Sequence, residues 1–376
     1  MRIAGAAAVA AVALVLLFAN VLRHPQYTPD GIVYARFAAR DAGRPEREAT
    51  LQARAFYERT AMMQNPRYRD LIELDPSVSF ARSKVFENRV LYPWAVAALL
   101  PLAGFKALFI VSAVSYVAFG LALYWALLAV GRPVFAAAFA VIALALPLTR
   151  SIAASDLTDM LAMVWWTFAL GALLYWMRRE GTRGMMTVLL IAGALLALTR
   201  PTPYLIVIPA ATAAVLRRSW LPFAASLGSV LAFAAAAVAT HAFGVSEQLR
   251  WVYGHRPARG GNATFQSWYR SSLWATVRAA IVSGVKSIAI PVLFFSAIWA
   301  AARGRLRDEF IVLIAAGVAC CIAIPFNPVE SALARVIALP LIPVLCAIAQ
   351  ALAAVYLPEP HLAADPRLDR RSAPVR

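Results

Sequence analysis

The chain has 376 residues, 62% of them hydrophobic and only 15% charged, with a formal net charge of +17. A soluble protein this apolar lacks the polar side chains to cover itself, so the composition excludes an ordinary soluble domain and points to a polytopic membrane protein. The basic excess does not imply nucleic acid, because basic residues sit in short connections between apolar runs, and no cluster combines them with aromatics in a soluble domain.

Residues 3–22 form the first apolar run, preceded by Arg2. A signal peptide is the competing interpretation. The run is long, and Asn20-Val21-Leu22-Arg23 offers no small-x-small cleavage site, so an uncleaved signal anchor with a cytoplasmic N-terminus is expected. Residues 23–90 form a polar loop that holds nine of the 19 acidic residues and twelve basic ones. Within it Thr28 suits an N-cap and Pro29 the first helical turn. A helix is predicted from there to about Asp41, ended by Gly43, with Ile32, Val33 and Phe37 toward the membrane surface. A second is predicted over Glu46–Met63, before Asn65-Pro66, and a third over Pro76–Asn88. Together they would lie across the outer membrane face as a lid.

The segment Glu87-Asn88-Arg89-Val90-Leu91-Tyr92-Pro93-Trp94 returns the chain to the bilayer. Residues 91–103 are short for a crossing and are predicted to form an interfacial or re-entrant helix. Further spans are predicted at 105–130, 134–148, 160–177, 185–199, 204–217, 220–243, 279–302, 309–325 and 335–355. With the first run this makes about ten spans in one all-α domain, residues 1–357, with external loops 23–90 and 244–278. A basic tail, 358–376, is expected to be disordered. The connections at 131–133, 178–184, 217–219 and 303–308 are all arginine-bearing, as is the tail. That pattern assigns them and both termini to the cytoplasm. Frequent Ala and Arg with few Lys suggest a GC-rich bacterial genome, hence a bacterial cytoplasmic membrane.

The opposite face then collects charge at the membrane boundary: Asp30, Arg89, Arg150, Asp156, Asp159, Arg200, Glu330 and Arg335. Charge at that depth is costly and is either functional or snorkelling to water. Several such residues on one face predict a polar cavity under the lid. For Asp30 two readings stand: a first-turn carboxylate favoured by the helix dipole, or a general base that takes a proton from an acceptor hydroxyl. Tyr27 and Tyr34 flank it. Asp156 and Asp159, in Ser155-Asp156-Leu157-Thr158-Asp159, read as a helix cap or as site residues. Arg200, in Thr199-Arg200-Pro201, is a snorkelling end residue or a guanidinium fork for a phosphate. Glu330 and Arg335, five apart, are candidates for lining the same site. The loop 244–278 brings Trp251, Tyr253, His255, Trp268, Tyr269 and Trp274 with Arg250, Arg256, Arg259 and Arg270. These are interfacial anchors or a platform for a sugar or carrier headgroup. Asn262-Ala263-Thr264 matches the short N-glycosylation pattern. Cys320, Cys321 and Cys346 lie in apolar runs, and the four histidines show no metal-ligand spacing. The residues require no cofactor and leave a divalent metal open.

One span followed by Tyr27-Thr28-Pro29-Asp30-Gly31-Ile32-Val33-Tyr34, then Arg89-Val90-Leu91-Tyr92-Pro93, Thr199-Arg200-Pro201 and a late Glu330…Arg335, resembles the layout of the GT-C superfamily of polytopic membrane glycosyltransferases. The resemblance implies an inverting transfer from a polyprenyl-phosphate sugar to a glycan, lipid or protein acceptor outside the cytoplasm. It implies Asp30 as the catalytic residue and arginines on the carrier phosphate. Many members carry Asp-Glu where this chain has Asp30-Gly31, and many carry a soluble C-terminal domain, which is not expected here. Two other readings stand beside it. A lipid-linked polysaccharide polymerase or ligase would centre on Arg250, His255 and Arg256. A transporter or flippase would show midplane charges and an internal repeat.

Overall fold

Apolar runs set the helices, and Gly and Pro set most of their ends. A computed structural model describes residues 1–60, 86–178, 183–242, 308–322, 339 and 341–352. Among these the chain is helical and forms no β-strand. α1 (Arg2–Leu16) runs on through a π-helical turn, Leu17–Val21. α2 is Pro29–Asp41 and α3 is Glu46–Glu58. α4 (Leu91–Ala103) and α5 (Ala107–Val130) follow, then α6 (Pro133–Ala145) and the short α7 (Pro147–Ala153). α8 is Asp159–Arg178, α9 Arg183–Thr199, α10 Tyr204–Leu216 and α11 Leu221–Thr240. α12 (Asp308–Ile322) and α13 (Leu341–Leu352) complete the described helices. The predicted third lid helix lies outside the described residues except for Phe86–Asn88. The span 279–302, the loop 244–278 and the tail lie wholly outside them.

Four helical runs are long and apolar enough to cross a membrane: Arg2–Val21, Leu91–Val130, Asp159–Arg178 and Leu221–Thr240. A fifth arises if α6 and α7, bent by 65°, count as one. α9, α10 and α13 are apolar but shorter. α1 shows why lipid suits this chain. Its buried residues Val9, Ala13, Leu17 and Val21 recur every fourth position and face α5 and α6. Ile3, Leu14, Val15 and Phe18 on its other sides are exposed. A helix apolar all round with one packed stripe is stable against hydrocarbon, not water. α11 has the same character, with Leu227, Leu231 and Val238 exposed. α8 is the central helix, packed on α5 and α9 and buried over most of its length.

The apolar run Leu91–Val130 has 40 residues, about 60 Å as a rod and far longer than one crossing. It breaks at Gly104, whose φ of +56° ends α4 where a side chain would be strained. The Tyr92 hydroxyl donates to the Leu108 carbonyl at 2.9 Å. On a continuous helix those residues would stand about 24 Å apart. α4 therefore folds back over the start of α5.

The lid forms its own small core. Val33, Tyr34, Phe37 and Ala38 of α2 are buried with Ala53 and Tyr57 of α3, Tyr92 and Val96 of α4, and Leu108 of α5. This corrects the expectation that Val33 and Phe37 face the membrane surface: they face protein, and Ile32 packs against the same cluster half-buried. α2 ends as predicted, with Gly43 at φ +89°.

Contacts at the end away from the lid show which connections share it. Tyr124 donates to the Arg2 carbonyl at 2.9 Å, and Arg178 Nη2 to the Val130 carbonyl at 3.2 Å. Arg178 stands 4.0 Å from Glu309, and Arg217 stands 3.7 Å from Asp308. The start of α1, the ends of α5, α8 and α10 and the start of α12 thus gather at one end, as the arginine pattern predicts.

Candidate site at the lid end of the bundle

The loop after α1 is tied to the turn between α7 and α8 before α2 begins. Gln26 N–H donates to the Ala154 carbonyl at 2.8 Å, and Asp156 N–H to the Gln26 carbonyl at 3.4 Å. Ser151 Oγ adds a 3.0 Å bond to Gln26 Oε1. Thr28 follows in extended conformation and caps α2, its Oγ1 accepting from Gly31 N–H at 3.1 Å. Pro29 fills the first helical position, where the missing N–H costs nothing. Asp30 stands in the first turn, half-buried and favoured there by the helix dipole.

Asp156 holds this turn in place. Its Oδ1 accepts from the Thr28 hydroxyl at 2.7 Å and from Thr28 N–H at 3.0 Å. Its Oδ2 accepts from Thr28 N–H at 3.2 Å and from the Tyr57 hydroxyl of α3. A methyl group on Gly31 would collide with Asp156 Oδ2 and Tyr57 Oη, so only glycine lets α2 start this close. Asp156 is fully buried. Burial pushes its carboxyl up to about 7, against the pull of the Tyr57 and Thr28 hydrogen bonds. Burial, then the neighbouring Asp156 charge, raises the Tyr57 hydroxyl well above its usual range, so it stays a donor.

Of the residues singled out from sequence, Tyr27 is half-buried, edge-on to Tyr57 at 5.9 Å and Phe109 at 5.0 Å. Tyr34, one turn after Asp30 and fully buried, accepts from Arg89 Nη1 at 2.7 Å and packs edge-on to Tyr92 at 5.4 Å. The Arg89 guanidinium lies 4.4 Å from the Phe86 ring centroid. Arg89 and Arg150 are half-buried and make no ion pair with a carboxylate among the described residues; the Nε of each is buried without a hydrogen bond. Asp159 and Arg200, both buried, approach to 2.8 Å, a charge contact rather than an aligned hydrogen bond. They tie the start of α8 to the connection between α9 and α10. His255, Glu330 and Arg335 lie outside the described residues.

No protein-family model, curated protein or solved structure matches this chain.

The structure therefore docks the turn that carries Tyr27 and Asp30 on Asp156 through Thr28, and brings Tyr34 together with Arg89 and Asp159 together with Arg200. Asp156 does not cap its own helix; its partner lies 128 residues earlier. Tyr57 is the residue sequence reasoning missed. Its only sequence signal is an aromatic on the inner face of an amphipathic helix, which predicts burial and not a bond to a carboxylate. Among the described residues no three His, Cys, Asp or Glu side chains are grouped to hold a metal.

Proposed function

We propose that the protein is a membrane glycosyltransferase of the GT-C kind, acting on a polyprenyl-phosphate sugar at the lid end of the bundle. The observation that carries this reading is the immobilised first turn of α2. A carboxylate half-exposed on a turn held by Thr28, Asp156 and Tyr57 is suited to repeated proton transfer at one place. Two half-buried arginines without carboxylate partners among the described residues, Arg89 and Arg150, supply charge for a phosphate. The lid end is extracytoplasmic in this reading, because the arginine-bearing connections gather at the other end. The membrane is the bacterial cytoplasmic one, crossed about ten times, with both termini inside.

Asp30 takes the proton of the acceptor hydroxyl. The acceptor oxygen bonds to the anomeric carbon from the face opposite the carrier. The bond from that carbon to the phosphate oxygen breaks, and polyprenyl phosphate leaves with the electron pair. The configuration inverts. The arginines stabilise the leaving phosphate, which strengthens its negative charge as the bond breaks. Arg200, already paired with Asp159, supports the bundle near this site.

The test is sugar release from a panel of labelled polyprenyl-phosphate hexoses by purified protein in lipid. Turnover by the wild type that falls at least about 100-fold in Asp30→Asn is the expected result. Full transfer by the variant would remove Asp30 from the chemistry.

A further inference from the structure

Asn88 is an anomaly in the packing. It is fully buried, yet among the described residues neither Oδ1 nor Nδ2 has a hydrogen-bond partner. Buried amides are almost always paired, because leaving them unpaired forfeits their hydration for nothing. A capping role is excluded: α4 begins three residues later, at Leu91 after Val90, and has no side-chain cap. Since both ends of the amide are unpaired, exchanging its oxygen and nitrogen would not resolve the anomaly.

Its position points to the proposed site. Arg89, the next residue, donates to Tyr34 at 2.7 Å. Tyr34 lies four residues after Asp30, on the same face of α2. Asn88 thus sits where the chain returns from the lid to the bundle, next to an arginine whose hydroxyl partner, Tyr34, stands about one helical turn from Asp30 on α2. Four further atoms at this end, Arg89 Nε, Thr149 Oγ1, Arg150 Nε and Thr158 Oγ1, are buried without hydrogen bonds among the described residues, as are both amide atoms of Gln350 on α13. The strand of contacts from Arg89 through Tyr34, Tyr92 and Ser112 to the Leu157 carbonyl reaches the residue before Thr158.

The chemistry of the amide selects the ligand. A phosphate only accepts, so it would satisfy Nδ2 and leave Oδ1 orphaned. A sugar hydroxyl both donates and accepts, and adjacent hydroxyls can meet both ends of a carboxamide at once. We propose that Asn88 binds a hydroxyl of the sugar being transferred, while Arg89 faces the phosphate of its carrier. This inference rests on the glycosyltransferase reading and adds the residue that distinguishes the glycosylated carrier from the bare one.

The experiment uses the full-length protein in lipid, wild type and Asn88→Leu, which keeps the volume and removes both polar atoms. Two quantities are read: the thermal midpoint without ligand, and the equilibrium affinities for polyprenyl-phosphate hexose and for polyprenyl phosphate alone. Relieving an orphaned amide should raise the midpoint by about 2 °C. The wild type should prefer the glycosylated carrier by about 10-fold, and the variant should lose that preference while binding the bare carrier unchanged. A variant with a lowered midpoint and an intact preference would overturn the inference and make Asn88 a structural residue. If the wild type bound no member of the hexose panel, the glycosyltransferase reading would fall and this inference with it.

Discussion

A methyl group at residue 31 would enter the space of the Asp156 carboxylate and the Tyr57 hydroxyl. Gly31→Ala should therefore unseat the start of α2, at a cost of about 1–3 kcal/mol, and reduce transfer; a thermal midpoint equal to the wild type's would show that the turn has slack. Asp156 makes a second residue-level prediction. Its docked carboxyl sits at about 7, against an ordinary value of 3.8. The docked state therefore holds more protons than the undocked one between those values. Docking is favoured fully below the lower value, weakens as pH rises toward 7, and is flat above it. The groups around it are Thr28 and Tyr27 in the loop, Tyr57 on α3 and Tyr92 on α4, which also feels Asp159. The tyrosines stay neutral across this window. The thermal midpoint should fall between pH 5 and pH 7.5 in the wild type and lose most of that slope in Asp156→Asn. An unchanged slope in the variant would place the titration elsewhere.

At the scale of the element, α2 depends on its cap for both its start and its docking. Thr28→Ala removes the bond to Gly31 and the hydroxyl bond to Asp156 together. Helix caps contribute about 1 kcal/mol, and a hydrogen bond to a buried carboxylate about 1.5–3 kcal/mol. Amide exchange should accelerate across Pro29–Asp41 while α8 keeps its protection. Equal loosening of both helices would mean that the lid and the bundle unfold as one unit. α4 was legible in the sequence at both ends, because an apolar run begins at Leu91 and Gly104 stops it. Its direction was not legible, because the fold-back is set by Tyr92 reaching Leu108, a contact that no local pattern encodes.

For the whole molecule, the Asp159–Arg200 pair joins the centre of the bundle to the connection between α9 and α10. Removing one charge from a buried pair strands the other. Arg200→Met should cost about 3–5 kcal/mol, and the double change Asp159→Leu with Arg200→Met should recover much of it. A single variant as stable as the wild type would instead leave Arg200 available to a ligand phosphate. Orientation has its own test. Single cysteines at Arg132 and Arg218, in a cysteine-free background, should react with an impermeant thiol reagent from one side of sealed vesicles. A cysteine at His24 should react from the other.

Hydropathy and punctuation alone determined the helical class, the start of α2 at a Thr-Pro-Asp-Gly cap, and the gathering of arginines at one end. Each of these depends on a residue and its near neighbours, so each is written locally in the chain. Only the tertiary structure decided that Asp156 serves Thr28, that Tyr57 closes the same contact, and that Arg200 is neutralised by Asp159. It also turned Val33 and Phe37 inward onto a lid core. The reason is distance along the chain. Thr28 and Asp156 are 128 residues apart, and a polar residue in an apolar protein finds its partner through the packing of the helices that carry it, which no spacing within one helix can specify.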